Sequence, residues 1–332
     1  MNNFDNDIMV SINCITYNHE KYIKEALEGF LMQKTNFKYE LLIHEDASTD
    51  NTANIIKKYE KKYPKIIKPI YQKENQFSKG IKINFEFNYK RSKGKYIALC
   101  EGDDYWTDPY KLQKQVDFLE DHKEFSICFH SVEKIDEDGN ILNYKLWPDN
   151  TRTKEITTLT DILKTNYIAT ASVVFRNNLI NYEDYVNLSK NLSFGDWVYH
   201  VLNAKKGYIY FINQKMGVYR KTNQGLSKTT DKFKLLEDIL EFYKRLERYF
   251  DDKNIKRIIN KQMIKNKIEL YIEYVKKNEL EKAEELFQNI KKSDIFLKGG
   301  PKRSFKFFLI KHFPNQYENI RQNYRKLRGI EE

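Results

Sequence analysis

Short apolar runs alternate with amphipathic segments through the first hundred residues of the chain. The apolar runs have the length of strands and cover residues 9–16, 39–44, 66–71 and 96–100. The first intervening segment carries its apolar residues at helical spacing: Tyr22, Ile23, Ala26, Leu27, Phe30 and Leu31. Asn18 is predicted to be the N-cap of this helix, and further helices are predicted over residues 52–63 and 81–92. Repeated strand–helix alternation predicts a mostly parallel, right-handed α/β sheet flanked by helices.

The pattern after the fourth apolar run is more mixed. It predicts a helix over residues 109–121, a strand over 125–130 and a hairpin with its two-residue turn at Asp138-Gly139. A short helix over residues 160–165, a strand over 170–176, a helix ending near residue 204 and strands over 207–211 and 216–220 follow. From about Thr229 onward only helical spacing is present. We therefore predict an α/β domain over residues 1–228 and a helical, basic C-terminal region over residues 229–332.

Composition and charge narrow the class of protein. The chain has 332 residues, 40% of them hydrophobic, which is enough for a substantial core. The three cysteines lie in apolar runs without metal-ligand spacing, which is typical of buried thiols in a reducing compartment. The polar start of the chain and the absence of a long apolar run predict a cytoplasmic protein without a signal peptide.

Acidic residues follow several of the predicted strands. Asp46 follows the second strand, Asp103 and Asp104 follow the fourth, and Asp196 begins a later helix. Because parallel strands end at one edge of the sheet, these carboxylates are expected to meet there, where open α/β sheets bind ligands. Clustered carboxylates are costly unless a cation or hydrogen bonds compensate their charge. Oxygen ligands suit Mg²⁺ or Mn²⁺ held against phosphates. A structural alternative stays open, in which Asp46 and Asp196 serve only as helix caps.

The loop after the first strand argues against two other classes of nucleotide-binding protein. It reads TYNH at residues 16–19 and contains no glycine, so the dinucleotide-binding fingerprint is missing, and no Walker lysine motif is present. A nucleotidyltransferase would be expected to have a glycine-rich, basic loop here. The net charge of +11 suggests a nucleic-acid binder as a further alternative, but the acidic clusters occupy the predicted crevice and no nucleic-acid motif is found.

Residues 9–220 resemble a family 2 glycosyltransferase of the GT-A fold. The matching motifs occur in the order of the family: ITYN at 15–18, EDASTDNT at 45–52, EGDDYWTDPYKL at 101–112, GD at 195–196 and YR at 219–220. The resemblance implies an inverting, metal-dependent transfer of a sugar from a nucleotide diphosphate sugar, with UDP favoured. The acceptor would be a hydroxyl of a saccharide or a lipid-linked saccharide in the synthesis of a cell-surface glycan.

The resemblance also implies the residues of the donor site. Thr16 and Tyr17 would line the nucleotide base, and Asp46 would form a hydrogen bond with it. Asp103 would approach the ribose, and Asp104 would bind the Mn²⁺ or Mg²⁺ ion on the diphosphate.

The remaining implied roles concern the acceptor side and the phosphates. Asp196 would be the general base that takes the proton from the acceptor hydroxyl. Many relatives carry a histidine shortly after the YR motif, whereas this chain reads YRKTNQG at residues 219–225. Arg220 or Lys221 is therefore predicted to neutralise phosphate instead. Glu101 is predicted to contact the residues that bind the ligand rather than the ligand itself.

The C-terminal segment is basic and aromatic. Residues 298–328 contain nine Lys or Arg against a single acid, Glu318, interspersed with phenylalanines. This composition is typical of a segment at an anionic membrane surface. It is equally typical of packing against the preceding helices or a second subunit, so peripheral membrane contact and homodimerisation are alternative predictions.

Overall fold

The computed structural model describes residues 8–142, 154–222 and 231–288 of the chain. The chain divides into two compact units, Met1–Thr229 and Thr230–Glu332. The predicted membrane or packing segment over residues 298–328 lies outside the described residues, as do residues 223–225 after the YR motif.

The described strands of the first unit form one nine-stranded sheet. They are β1 (Ile8–Thr16), β2 (Lys38–Glu45), β3 (Ile67–Tyr71), β4 (Tyr96–Leu99), β5 (Tyr105–Trp106), β6 (Phe125–Ile135), β7 (Ile156–Thr157), β8 (Val174–Arg176) and β9 (Tyr208–Arg220). Their order is β3-β2-β1-β4-β8-β6-β9-β5, and β7 pairs with β9. Strands β3, β2, β1 and β4 are parallel, which confirms the predicted arrangement of the first half of the sheet.

The second half of the sheet is mixed. Strand β8 is antiparallel to both β4 and β6, and β5 is antiparallel to β9. The strand predicted over residues 170–176 is shorter than expected, because a 3₁₀ turn occupies Thr170–Ser172. The two strands predicted over residues 207–220 form one long strand, β9, whose pairing with β6 shifts register between Ile212 and Lys215.

Burial on both faces explains why β1 does not alternate cleanly between apolar and polar residues. Val10, Ile12 and Cys14 are fully buried on one face, and Ser11 is equally buried on the other. The Ser11 hydroxyl donates a hydrogen bond to Glu40 Oε1 (2.7 Å), so the polar group is satisfied within the interior. A central parallel strand covered by helices on both sides has this composition.

The described helices of the first unit are α1 (Ile23–Leu31), α2 (Thr52–Lys62), α3 (Lys111–Asp121), α4 (Leu159–Ile162), α5 (Tyr182–Ser189) and α6 (Asp196–Ala204). Helix α1 buries Ile23, Ala26, Leu27 and Phe30, the face that its sequence spacing predicted. Helix α5 was not predicted, although its start carries a recognisable signal. The Asn181 side chain accepts hydrogen bonds from the amides of Glu183 and Asp184, two acidic residues in the first turn.

Two local predictions need correction. The helix expected over residues 81–92 is a π-helical turn at Asn84–Asn88 followed by a 3₁₀ turn at Tyr89–Arg91. The wider turn allows Asn88 to be buried, and its Nδ2 donates to the Cys14 carbonyl (3.0 Å) on β1. Asn18 does not cap α1; it has a positive φ of 54°, and its Oδ1 accepts a hydrogen bond from the Thr49 amide (2.8 Å).

The predicted hairpin after β6 is present with a different turn. The Gly139 amide donates to the Asp136 carbonyl (3.3 Å), which places Glu137 and Asp138 at the centre of the turn. Gly139 follows with a φ of +86°, a conformation in which glycine is the least strained residue. Asp136 holds the loop together, because its carboxylate accepts hydrogen bonds from the Asn140 amide and side chain.

The described part of the second unit is helical. It consists of α7 (Lys232–Tyr249), α8 (Lys253–Lys276) and α9 (Leu280–Gln288). Asp231 and Asp252 precede the first two helices, and their side chains accept hydrogen bonds from first-turn amides, so each is an N-cap. The predicted helical C-terminal region is therefore confirmed for these residues. None of the described helices has the length and apolar content needed to cross a bilayer.

Candidate active site

The turn that follows β4 carries the acidic residues of the predicted donor site. Gly102 lies in this turn, and its amide donates to the Ile15 carbonyl (2.9 Å) near the end of β1. A Cβ atom added at Gly102 would lie 2.7 Å from Thr16 Oγ1 and 3.0 Å from His19 Nδ1, which is closer than ordinary packing allows. Glycine at this position lets the acidic turn pack directly against the loop after β1.

Asp103 and Asp104 are both buried in this turn. Oδ1 of Asp103 and Oδ2 of Asp104 are buried without a hydrogen-bond partner. The other oxygen of Asp104 accepts a hydrogen bond from the backbone amide of Arg220 (2.8 Å). Burial, followed by the charges of Asp103 and Glu101, raises the pKa of Asp104 well above its ordinary value of 3.8. The turn therefore holds more negative charge than its protein partners compensate.

Glu101 connects this turn with the second acidic site. Burial, then the charge of Asp103 and then that of Asp196, raises the pKa of Glu101 to about 8. Because charges act on one another over short distances, this effect indicates that Asp196 lies close to Glu101. The charges of Asp103 and Asp196 thus both act on Glu101 in this turn.

Asp196 is the first residue of α6, and Gly195 is the N-cap position before it. Its carboxylate does not cap the helix. Instead, Asp196 Oδ2 accepts a hydrogen bond from Asn166 Nδ2 (2.8 Å), and the side chain is partly exposed. A Cβ atom at Gly195 would lie 2.6 Å from the Tyr185 hydroxyl oxygen, so α5 packs closely against the residue that precedes Asp196.

The guanidinium of Arg220 contacts the backbone of the acidic turn and pairs with a carboxylate outside that turn. Its Nε donates to the Asp103 carbonyl (3.2 Å), and its Nη2 donates to Glu25 Oε2 (2.6 Å). The guanidinium also lies 4.7 Å from the centre of the Tyr22 ring. The buried Arg220 side chain therefore joins α1, β9 and the acidic turn.

Lys221 lies next along the chain from Arg220. Its amide donates to the Ile135 carbonyl (2.8 Å), which extends the pairing of β6 and β9. Burial lowers the pKa of Lys134, and the charge of Lys221 adds to this effect. The charges of the two lysines therefore repel one another.

Thr16 and Tyr17 end β1 in a loop that is tied to the loop after β2. Thr16 is buried, and its Oγ1 has no hydrogen-bond partner, whereas Tyr17 is 42% exposed. The amides of Asn18 and His19 donate to Ser48 Oγ (3.0 Å) and Thr52 Oγ1 (2.8 Å). The Ser/Thr-rich motif after β2 therefore holds the β1 loop in place and leaves the Tyr17 ring accessible to a ligand.

Asp46 lies at the same edge of the sheet and is fully buried. Its Oδ1 contacts His44 Nε2 (3.1 Å) and accepts from the Gln76 amide (2.8 Å), while its Oδ2 accepts from the Phe77 amide (3.0 Å). Asp46 does not cap α2; Asp50 Oδ1 accepts from the Thr52 amide at the start of that helix. Asp46 thus fastens the segment after β3 to β2, and a nucleotide base would have to share a carboxylate that already has three protein partners.

Several residues at the site had no signal in the sequence. His19 follows the first strand in the TYNH loop, and its Nε2 lies 3.9 Å from Asp103 Oδ2. Lys82 Nζ donates to the carbonyls of Leu192 and Phe194, immediately before the GD motif. Asn166 lies 30 positions before its partner Asp196. Such contacts between distant segments leave no local pattern from which they could be recognised.

The acidic turn has the features of a site for a divalent cation. The unpartnered oxygens of Asp103 and Asp104 are hard ligands of the kind that Mg²⁺ and Mn²⁺ bind. Among the residues that the structure describes, no group of three or more His, Cys, Asp or Glu side chains forms a complete metal site. The chain fits a cation held by one or two carboxylates, with the remaining ligands supplied by phosphate oxygens and water.

The fold and the acidic turn define the class of protein. A mixed sheet with a carboxylate turn after its fourth strand and a second carboxylate at the same edge is the GT-A arrangement. The sequence profile of glycosyl transferase family 2 matches residues 11–182, and the chain belongs to this family. An uncharacterised protein of Mycobacterium tuberculosis is 40% identical over 69% of this chain and 64% of its own length. The chain thus spans just under two thirds of that relative.

Solved structures show the same fold at low sequence identity. The S. aureus protein TarS (residues 1–349), solved in complex with UDP-GlcNAc, has a TM-score of 0.61 and 17% identity over 80% of this chain and 81% of its own. The Pyrobaculum calidifontis mannosyltransferase PcManGT, solved with GDP-Man and Mn²⁺, has a TM-score of 0.56 and 13% identity over 92% of this chain and 87% of its own. The GT-A fold predicted from the sequence is therefore confirmed.

Proposed function

We propose that this chain transfers one sugar, with inversion, from a nucleotide diphosphate sugar to a hydroxyl of a saccharide acceptor. The observation that carries the proposal is that two carboxylates lie in the turn after β4 and a third lies on a separate helix. Asp103 and Asp104 have buried, unpartnered oxygens that suit a cation and a diphosphate, whereas Asp196 is partly exposed and lies on a separate helix. An inverting transfer needs this separation, because the base and the leaving group lie on opposite sides of the reacting carbon.

The chemistry assigned to the chain is a single displacement. The acceptor oxygen forms a bond with the anomeric carbon, its proton passes to Asp196, and the bond from that carbon to the diphosphate breaks. A divalent cation bound at Asp104 would stabilise the negative charge that develops on the diphosphate. Thr16, Tyr17, Asp46 and Asp103 would hold the nucleoside.

UDP is the proposed nucleotide, and Mn²⁺ or Mg²⁺ is the proposed metal. TarS binds UDP-GlcNAc and PcManGT binds GDP-Man with Mn²⁺, so related folds accept both nucleotides. We assign the acceptor to the saccharides or lipid-linked saccharides of cell-surface glycan synthesis, on the basis of family membership. Cytoplasmic location follows from the same assignment, because nucleotide sugars are the donors.

The proposal is tested by release of nucleoside diphosphate from a panel of UDP-, GDP- and dTDP-sugars, with Mn²⁺ or with EDTA. We expect one donor to be hydrolysed only with metal, and Asp104→Asn to abolish this activity. Asp196→Asn should keep UDP binding, measured by thermal shift with Mn²⁺, and should lose about 10²- to 10⁴-fold in rate. Asp121→Asn, at an exposed carboxylate at the end of α3, is the control.

Two outcomes would overturn this assignment. Near-normal turnover by Asp196→Asn would remove the base from the mechanism. Thermal stabilisation by short RNA, together with no response to any sugar nucleotide, would instead favour the nucleic-acid-binding alternative.

We also propose that the region over residues 229–332 attaches the catalytic domain to an anionic membrane surface or to a second subunit. The excess of basic residues between positions 298 and 328 supports this proposal. Deletion after Gly299 should release the protein from anionic liposomes without changing donor hydrolysis. Unchanged liposome binding would exclude the membrane role, and the size of the full-length protein in solution would then test dimerisation.

A further inference from the structure

Asn166 connects Asp196 with a buried histidine. Asn166 Nδ2 lies 2.8 Å from Asp196 Oδ2, and Asn166 Oδ1 lies 3.0 Å from His200 Nδ1. The Ile168 amide also approaches Asn166 Oδ1, at 3.4 Å. His200 is one turn along α6 from Asp196 and is fully buried. One amide side chain therefore bridges a partly exposed carboxylate and an interior imidazole.

The chemistry of the carboxylate determines the direction of each hydrogen bond. An ionised carboxylate can only accept, so Asn166 must present its NH₂ group to Asp196. Its oxygen then faces His200, which must carry its proton on Nδ1 in order to donate. The backbone amide of Ile168 can only donate, and it approaches the same oxygen. Two independent groups, the Asp196 carboxylate and the Ile168 amide, thus agree on a single orientation of Asn166, and His200 is compatible with it.

His200 fits the role of a neutral donor. Burial lowers its pKa to about 4, a shift that the charge of Asp196 only partly opposes, so the imidazole is neutral at physiological pH. Its Nε2 is buried without a hydrogen-bond partner. The Nδ1 proton donated to Asn166 is therefore the polar contact that the described structure gives this ring, and it holds the Asn166 side chain in the orientation that Asp196 and Ile168 require.

We propose that Asn166, oriented by His200, is a positioning residue for the catalytic base: it holds Asp196 Oδ2 and leaves Oδ1 directed at the acceptor hydroxyl. This inference rests on the proposed role of Asp196 as the base. The bond would also stabilise the ionised form that a base requires.

The other titratable groups that face Asp196 are Tyr185 from α5 and His200 from its own helix. Burial, with a contribution from the charge of Asp196, raises the pKa of Tyr185, so this phenol is neutral in the working range. His200 is neutral there as well. The ammonium of Lys82 donates to the carbonyls of Leu192 and Phe194 and so binds the segment before Asp196. Asn166 therefore supplies a neutral hydrogen-bond donor to Asp196 Oδ2.

The test measures UDP release from UDP-GlcNAc, or from the donor that the panel selects, with Mn²⁺ across a range of pH. Asn166→Ala should lower kcat about 10- to 100-fold with little change in the KM for the donor. The acid limb of the pH–rate profile of this variant should move to higher pH, because Asp196 loses the hydrogen bond that stabilises its ionised form. Asn166→Asp is nearly isosteric and should show the same loss with a larger movement of the acid limb, since two carboxylates would then face each other.

The histidine provides a rescue experiment. His200→Asn keeps a nitrogen donor near the position of Nδ1 and should retain most of the activity, whereas His200→Leu should lose it together with the normal pH profile. A merely structural role for His200 would instead lower the melting temperature of both variants and leave the acid limb unchanged. Melting temperature and UDP binding with Mn²⁺ are measured for every variant.

The outcomes separate this inference from the proposed function. If Asp196→Asn is active, the proposed function fails and the role of Asn166 fails with it. If Asp196→Asn is inactive while Asn166→Ala and Asn166→Asp keep the wild-type kcat and acid limb, the function stands and Asn166 is not a positioning residue. A loss of kcat with a displaced acid limb in both Asn166 variants supports the inference.

Discussion

Lys111 presents a cationic side chain inside the core, and its removal is expected to stabilise the protein. It is the first residue of α3 and is fully buried, and its Nζ has no hydrogen-bond partner. The ammonium lies 3.8 Å from the centre of the Trp106 ring, beneath the acidic turn. The substitution Lys111→Met keeps an unbranched chain of similar volume and allows a sulfur–aromatic contact with the same ring.

The magnitude follows from the pKa of the lysine. Burial lowers it from 10.5 to about 7, which corresponds to a cost on the order of 4–5 kcal/mol for the charged form, at about 1.4 kcal/mol for each pKa unit. The contact with Trp106 offsets about 2 kcal/mol of this cost. Lys111→Met should therefore raise the free energy of unfolding by about 2–3 kcal/mol at pH 7.

The pH dependence has a definite sign. Between pH 7 and 10.5 the unfolded chain binds a proton at Lys111 that the folded chain has released, so the stability of the wild-type protein rises with pH in this interval. The advantage of Lys111→Met should therefore shrink by about 2 kcal/mol between pH 7 and pH 9. His130 does not disturb this comparison, because burial holds its pKa well below 6.5.

The assay is urea unfolding at pH 7 and pH 9, followed by tryptophan fluorescence and circular dichroism. Lys114→Met is the matched control, because Lys114 lies on the same helix and forms a partly exposed ion pair with Asp108. It should change stability by less than about 1 kcal/mol at either pH. The reasoning is refuted if Lys111→Met is less stable than the wild type at pH 7, or if its effect is the same at both pH values.

Three further substitutions test the construction of the donor site. Gly102→Ala should weaken UDP binding with Mn²⁺ at least about 10-fold while the protein stays folded, because the new methyl group would lie 2.7 Å from Thr16 Oγ1. An unchanged UDP affinity in calorimetry would contradict this prediction. Arg220→Gln should lower the melting temperature by roughly 2–8 °C, because the hydrogen bonds of the buried guanidinium to the Asp103 carbonyl and to Glu25 contribute about 1–3 kcal/mol. An unchanged melting curve would show that these two hydrogen bonds are weak. Asp46→Asn should destabilise the fold by about 2–4 kcal/mol in urea unfolding, because an amide cannot accept from every donor that faces this carboxylate. The control Asp121→Asn should have no such effect, and equal stability of the two variants would refute the argument.

The first half of the fold was predictable because its signals are local. Strand-length apolar runs and helical spacing identified β1 to β4 and α1, and parallel pairing followed from the alternation. The antiparallel direction of β8 was not predictable from its own residues, because direction depends on which neighbours the strand meets. The π-helical turn at Asn84–Asn88 likewise results from burying Asn88 against β1, which is a tertiary contact.

The acidic turn after β4 shows how much of the candidate site is predictable from the sequence. The order of an apolar strand, an acidic tip and a helix start was sufficient to place Asp103 and Asp104 at the edge of the sheet, and the spacing of motifs identified the family. The same reasoning predicted a later carboxylate, Asp196, in the same region. These are statements about chain direction and sheet edges, which the periodicity of a sequence encodes directly.

The pairing of each charged group depends on tertiary contacts. The sequence could not show that Asp46 is held by the segment after β3, that Arg220 faces Glu25, or that Asn166 binds Asp196. Each of these partners lies at least 30 positions away along the chain and meets its target only after the sheet and helices have packed. Local patterns of strands and helix starts specify which carboxylates lie at the end of a strand or the start of a helix, while packing specifies which of their oxygens stay free for a ligand.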